Sequence, residues 1–229
     1  MEINTRFKDL DWVEPAKYLN NTIVGGLGGI GSWLALYLSR AEIKINVFEY
    51  DIIELTNLGG QFYSQNYVGC KKTDAIVELR RLFSDFGHVR PLGKITETTN
   101  LVKPFNGLAC FDSIYARRLL FNQWVNNINV DTPTVFIDGR MSVESFEIFT
   151  IDSRNKENIE KYKNTLFDDS LVPDDPCTMK ATSHNGAMCA SVMFANYMNF
   201  IGNLQEFQLR VVPYRIEVLL YTMQFKVTL

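Results

Sequence analysis

From residue 22 onward the chain switches repeatedly between two hydrophobic periods. Thr22-Ile-Val is a short apolar run that breaks into glycines at Gly26, Gly28, Gly29 and Gly31. Apolar residues then take helical spacing as far as Arg40, and Lys44-Ile-Asn-Val-Phe-Glu-Tyr-Asp51 returns to alternation and ends in two carboxylates. Ile52–Cys70 is polar and glycine-bearing, whereas Lys71–Phe86 spaces Ala75, Ile76, Leu79, Leu82 and Phe83 as one face of a helix. Val89–Ile95 and Leu108–Phe111 predict further parallel strands, Ala116–Val125 a helix, and Thr134–Ile137 a buried strand ending at Asp138. Strands alternating with helices through residue 138 imply a parallel sheet covered on both faces.

Beyond residue 138 the pattern changes. Ser142–Ile151 alternates Val143, Phe146, Ile148 and Ile151 against Ser and Glu, which predicts an added antiparallel strand. Asn155–Phe167 is a charged, helix-capable segment. Residues 168–183 read as an acidic, proline-bearing crossing loop before a long apolar helix from about His184 to Ile201. Arg215–Tyr221 and Gln224–Val227 are two alternating runs separated by almost nothing, as in a hairpin at a sheet edge. The expected fold class is α/β: a Rossmann-like, mostly parallel sheet with helices on both faces and antiparallel strands added in the C-terminal half. Residues 1–20, with Phe7, Trp12 and Tyr18, read as an arm packed on one domain spanning 1–229.

Composition narrows the function classes. A chain of 229 residues can bury roughly 70–75% of its unfolded surface in one core. With 46% hydrophobic and 21% charged residues and a net charge of -3, it lacks the basic excess that nucleic acid or an anionic membrane surface calls for. Cys70, Cys110, Cys177 and Cys189 include no C-x-x-C pair, so neither a four-cysteine zinc site nor a disulfide framework is indicated. No signal peptide or long apolar span is evident, and the expectation is a cytoplasmic protein with reduced thiols.

The glycines carry the first chemistry. One permits a tight turn, one lets backbone N–H groups approach a phosphate without an intervening Cβ, and one lets helix and strand pack closely. An anion at that helix start meets free N–H groups and about half a positive charge of helix dipole. Glu49 follows the turn by about twenty residues, where an acidic side chain can hold both ribose hydroxyls. A glycine turn serving close packing alone is the competing reading.

Nucleotide binding leaves dehydrogenases, methyltransferases and adenylating enzymes open. Four landmarks in order separate them: Gly26-Leu-Gly-Gly-Ile-Gly31, Asn57-Leu-Gly-Gly-Gln61, Val68-Gly-Cys-Lys-Lys72, and Asp112 with Arg117 five residues on. Over about residues 20–140 this resembles the ThiF/MoeB/ubiquitin-activating-enzyme superfamily. The resemblance implies adenylation, with ATP and Mg²⁺, of the C-terminal carboxylate of a ubiquitin-like or sulfur-carrier protein with a flexible tail. It implies that Glu49 holds the ribose, that Asn57 and Gln61 reach the phosphates, and that Lys72 neutralises the phosphate tail. It implies that Asp112 ligates Mg²⁺ and that Arg117 pairs within the domain or touches nucleotide. Each has a plainer competitor: Asp112 a helix cap, Lys72 a solvated lysine beside Lys71, Asp51 a turn cap rather than a nucleotide contact.

Departures from the pattern matter as much. Gly60 stands where the family places an arginine, so one cation on the phosphate tail is missing unless Arg6, Arg140 or an arginine of a second subunit replaces it. The zinc-binding C-x-x-C pairs of many relatives are absent, so no zinc is expected. Pro176-Cys177-Thr178 looks like the run that holds a thioester-forming cysteine in eukaryotic relatives. Lys180 and His184 would favour a thiolate there, and Asp174 and Asp175 oppose it. Cys70, Cys110 and Cys189 read as packing thiols. Met179, Met188, Met193 and Met198 recur near the last helix, a region that contributes to a dimer face in the family, so a homodimer is expected. An NAD-dependent oxidoreductase shares the glycine turn and Glu49 but leaves Asn57, Lys72 and Asp112 unexplained. An inactive nucleotide-binding scaffold is the non-enzyme alternative.

Overall fold

The computed structural model describes residues 21–83, 88–167, 182–204 and 209–229. Eight strands form a single sheet: β1 (Thr22–Gly25), β2 (Ile45–Phe48), β3 (Val89–Gly93), β4 (Asn106–Ala109), β5 (Val135–Met141), β6 (Ser145–Asp152), β7 (Arg215–Leu219) and β8 (Gln224–Thr228), in the order β3-β2-β1-β4-β5-β6-β7-β8. β3 through β5 in that order are parallel, and β6, β7 and β8 add to β5 as an antiparallel meander. The helices are α1 (Gly31–Arg40), α2 (Lys72–Arg81), α3 (Ile114–Asn126), α4 (Lys156–Lys163) and α5 (Ser183–Asn203).

The two faces carry separate apolar clusters, which is why the central strands read as continuous apolar runs. On one face Leu34, Ala35 and Leu38 of α1, Ala75 and Ile76 of α2, and Cys189, Met193 and Tyr197 of α5 cover Val24, Val47, Leu108 and Ile137. On the other, Leu120, Phe121 and Trp124 of α3 and Ile159 and Tyr162 of α4 pack on Ile23, Phe136, Phe149 and Ile151. Met193 and Met198 are buried in the first cluster and Met188 packs against it. α5 approaches the β1–α1 turn so closely that a Cβ on Gly186 would lie 2.2 Å from the Gly29 carbonyl oxygen.

β4 and β5 differ from the sequence-based expectation in ways that buried polar groups explain. β4 begins and ends two residues earlier than Leu108–Phe111, because Asn106 is taken into the core by its own hydrogen bonds: its Nδ2 donates to Tyr197 Oη at 3.2 Å and its Oδ1 accepts from the Val135 N–H at 3.1 Å. β5 does not end at Asp138 but runs on to Met141. Asp138 sits in mid-strand and is fully buried, which is tolerable because Arg117, Arg140 and Tyr162 surround its carboxylate.

Candidate active site

β1 connects leftward to β2 and β4 rightward to β5, so the connections leaving these two paired strands run apart beyond their carboxyl ends, the switch point at which open α/β sheets hold ligands in a crevice. The glycine turn and Asp112 meet at this point. Gly26 lies at φ +89°, where a side chain is strained, and its N–H donates to the Phe48 carbonyl at 2.8 Å. A Cβ at Gly31 would sit 1.9 Å from the Gly26 carbonyl oxygen, so that glycine serves the close packing of turn and helix. Beside Gly28 there is open space to at least 4 Å.

The N–H groups of Gly28, Gly29 and Ile30 form no hydrogen bond with another described residue. α1 also starts with no side-chain cap and no acidic residue in its first turn, whereas α3 is capped by Ser113 and α4 by Asn155. An uncapped helix start facing open space retains donors and dipole for an anion.

Glu49, nearly buried, directs its carboxylate at backbone. Oε2 accepts from the Leu27 N–H at 2.8 Å, and Oε1 accepts from the Tyr50 and Asp51 N–H groups at 2.7 and 2.9 Å. It thereby fixes the glycine turn from below. Residues 52–71 form a loop sealed at its base: Ile53 N–H donates to Cys70 O at 2.8 Å, and Lys72 N–H donates to Asp51 O at 3.0 Å. That closure brings the buried Lys72 ammonium to 3.1 Å from the half-exposed Asp51 carboxylate. Asn57, inside a short 3₁₀ turn (Leu55–Gly59), accepts the Glu54 N–H at 2.9 Å. Gln61 follows at the edge of α1, with a buried Oε1 that has no hydrogen-bond partner among the described residues. Cys70 is a correction: it is exposed, because the sealed loop turns it outward at Gly69 (φ +87°) rather than into a helix face. Cys110 and Cys189 are buried, and burial pushes both thiols up.

Asp112 lies just beyond the end of β4, exposed. Ser113, not Asp112, caps α3, accepting the Ala116 N–H at 3.2 Å. The Asp112 carboxylate has no hydrogen-bond or ion-pair partner among the described residues. Arg117 is buried beneath it. Its guanidinium donates to the Phe111 carbonyl, the Asp138 carboxylate and the Gly139 carbonyl, so all its contacts lie within the protein. Arg140 is likewise engaged, donating to Asp138 at 2.6 Å and to Thr165 Oγ1 at 2.9 Å. Burial opposes its charge most strongly of any single influence, yet Asp138 and Tyr162 together outweigh it and raise its pKa. Tyr162 completes the cluster with a hydroxyl 2.9 Å from Asp138, and burial pushes its pKa up. This ion network escaped sequence reading; its visible trace is a charged pair at i and i+2, Asp138 and Arg140, in an otherwise apolar strand.

Cys177, Lys180, Asp174, Asp175 and Arg6 lie outside the described residues. His184 stands exposed in the first turn of α5, with Nε2 3.3 Å from Thr182 Oγ1. Among the described residues no group of three His, Cys, Asp or Glu side chains could hold a metal ion. A lone carboxylate beside a helix start with unpartnered N–H groups suits Mg²⁺, which keeps most of its waters and binds through one or two carboxylates plus phosphate oxygens. No helix among the described residues is long and apolar enough to cross a membrane.

The ThiF family model matches residues 17–227. The chain belongs to the ThiF family. Over 54 residues, 23% of this ThiF-family chain, it is 41% identical to ubiquitin-like modifier-activating enzyme 5 of Oryza sativa subsp. japonica. Over 53 residues it is 42% identical to the Caenorhabditis elegans enzyme of that name. The matched stretch is 13% of each of those proteins. Solved structures share the ThiF-family fold across nearly the whole chain. PaaA superposes with a TM-score of 0.65 at 13% identity over 92% of this chain and 64% of that one. E. coli MccB with ATP superposes with a TM-score of 0.63 at 20% identity over 93% and 64%. The chain thus spans under two thirds of the length of these structures.

Proposed function

We propose that this chain is an ATP-dependent adenylyltransferase that activates the C-terminal carboxylate of a ubiquitin-like or sulfur-carrier protein, or of a peptide. One observation carries the reading: an uncapped helix start with free N–H groups at Gly28, Gly29 and Ile30 lies beside an unpartnered, exposed carboxylate, Asp112, at the neighbouring strand end. Family membership supports it, as do the activating-enzyme relatives and the MccB structures that include one with AMPCPP and MccA.

In this reading the turn at Gly26, Gly28, Gly29 and Gly31 receives phosphate, and Glu49 reaches the ribose from the end of β2. Asn57 and Gln61 would reach the phosphates through their side-chain amide N–H groups. Asp112 would hold Mg²⁺, which when bound neutralises phosphate charge. The substrate carboxylate attacks the α-phosphorus, an oxygen–phosphorus bond forms, the bond to the β-phosphate oxygen breaks, and pyrophosphate leaves with the electron pair. Because all reactants are anionic, positioning and cationic neutralisation supply most of the catalysis. Lys72 would supply one cation once Asp51 releases it. Arg117 would act by holding the Phe111 carbonyl, and so the Asp112 loop, rather than by touching nucleotide. We also propose a homodimer, in which an arginine of the second copy replaces the cation missing at Gly60, and a thioester role for Cys177 after adenylation.

ATP–pyrophosphate exchange with candidate carrier proteins tests this. Exchange should depend on the carrier and collapse in Asp112→Asn and Lys72→Ala. ATP binding without exchange for any carrier would favour a second reading, a nucleotide-binding scaffold. That reading draws on Gly60 and on the commitment of Arg140 to Asp138.

A further inference from the structure

The glycine turn is held by its carbonyls as well as shaped by its glycines. Tyr63 Oη donates to the Leu27 carbonyl at 2.8 Å, while the N–H of the same residue is held by Glu49. Ser32 Oγ donates to the Gly28 carbonyl at 2.8 Å and accepts the Phe62 N–H at 2.9 Å. Trp33 Nε1 donates to the Gly60 carbonyl at 3.2 Å. Residues 60–63 therefore form a strap clamped to the first turn of α1, with Tyr63 at its buried end. In a trans peptide a carbonyl and the N–H that follows it point in opposite directions. Tyr63 draws the Leu27 carbonyl toward the strap, and Ser32, itself tied to the strap through the Phe62 N–H, holds the Gly28 carbonyl, so the Gly28 and Gly29 N–H groups turn the other way; these are two of the groups that find no partner among the described residues.

We infer that Tyr63 is a positioning residue whose hydroxyl, by fixing the Leu27 carbonyl, aims the turn's N–H groups at the phosphates of a bound nucleotide. The inference rests on the nucleotide reading above. The ring alone would fill the same core position; the hydroxyl adds direction. Burial, followed by the nearby Glu49 and Asp51 charges, pushes the phenol up, so it remains a donor throughout the neutral range. Without it the Leu27 peptide is free to rotate, presenting a carbonyl oxygen where the phosphate is to sit.

Tyr63→Phe removes only the oxygen. By titration calorimetry the whole chain carrying Tyr63→Phe should bind ATP and AMP about five- to ten-fold more weakly, the loss of one intramolecular hydrogen bond's worth of preorganisation. Adenosine, which has no phosphate, should keep its affinity within about two-fold of wild type. A merely structural tyrosine would weaken all three alike or none. Ser32→Ala, which leaves the Gly28 carbonyl only its helical bond from the Ser32 N–H at 3.1 Å and frees the Phe62 N–H of the strap, should give the same split in smaller measure and stands in if Tyr63→Phe does not fold. Unchanged ATP affinity, or equal losses for adenosine and ATP, overturns the inference and leaves the nucleotide reading intact. Wild-type protein that binds neither ATP nor AMP removes both.

Discussion

Substituting Gly28 by alanine puts the phosphate turn itself to the test. A Cβ there would meet nothing within 4 Å, and Gly28 is not among the residues at positive φ. The fold should therefore accept the methyl, and the reduced freedom of the unfolded chain should add about 0.4–1 kcal/mol of stability, about 1–4 °C in Tm. The ligand should not accept it. If phosphate occupies that space, the methyl displaces it from at least one N–H. Losing one charge-assisted hydrogen bond, about 1.5–3 kcal/mol, weakens ATP about 10- to 150-fold. Gly31→Ala supplies the opposite control, since its Cβ would sit 1.9 Å from the Gly26 carbonyl oxygen. It should cost about 3 kcal/mol or more, about 6–12 °C, before any ligand is added. Differential scanning fluorimetry with and without ATP reads both variants. Gly28→Ala that binds ATP as wild type does would refute the placement of phosphate at this turn.

Other outcomes follow from the same geometry. Arg117→Met leaves Asp138 with Arg140 and Tyr162 but frees the Phe111 carbonyl, so urea denaturation should show a loss of about 3 kcal/mol, the low end for a broken buried pair. Pyrophosphate exchange should fall further in that variant than ATP binding does. A double-mutant cycle on Asp51 and Lys72 should give a stability coupling of no more than about 1 kcal/mol, because Asp51 is half exposed. Lys72→Ala alone should cut exchange about 10²- to 10³-fold, as loss of a transition-state donor does, and Asp51→Asn should not. Alkaline pH should unfold the protein. Burial raises the folded-state pKa of Cys110 and Cys189 above their ordinary value of 9.0, and of Tyr63, Tyr162 and Tyr197 above 10.0. The unfolded chain then binds fewer protons, and each group lowers stability by about 1.4 kcal/mol per pH unit above its unfolded value. Chemical denaturation between pH 8 and 11 should show a flat region followed by a steepening decline; constant stability to pH 11 would contradict the burial of these groups.

Periodicity sufficed where burial is one- or two-sided and continuous. The apolar faces of α1 and α5, the alternation of β6 and the terminal hairpin lie where the pattern puts them, whereas α2 ends at Arg81 and leaves Leu82 and Phe83 of its expected face exposed. It failed where polar side chains are buried with partners from distant sequence. Asn106 opens β4 because Tyr197 and Val135 satisfy it, and Asp138 continues β5 because α3, α4 and Arg140 neutralise it. Most of these partners lie far along the chain, and the one local mark is Arg140, two residues after Asp138. The candidate site divides in the same way. Glycine spacing and the acid at the end of β2 announce a turn and its neighbour, whereas only coordinates show that Glu49 pins Leu27, that Ser113 relieves Asp112 of capping, and that Arg117 faces inward. Cys70 reads as a packing thiol until the sealed loop 52–71 turns it outward.

The central claim is that this crevice holds ATP with its metal on Asp112. Calorimetric titration of ATP into the wild-type chain and Asp112→Asn, each with and without Mg²⁺, addresses it most directly. Wild type should bind ATP and bind it more tightly with Mg²⁺, while Asp112→Asn should keep the metal-free affinity and lose the enhancement. Absence of ATP binding, or an equal Mg²⁺ enhancement in both proteins, would contradict the account.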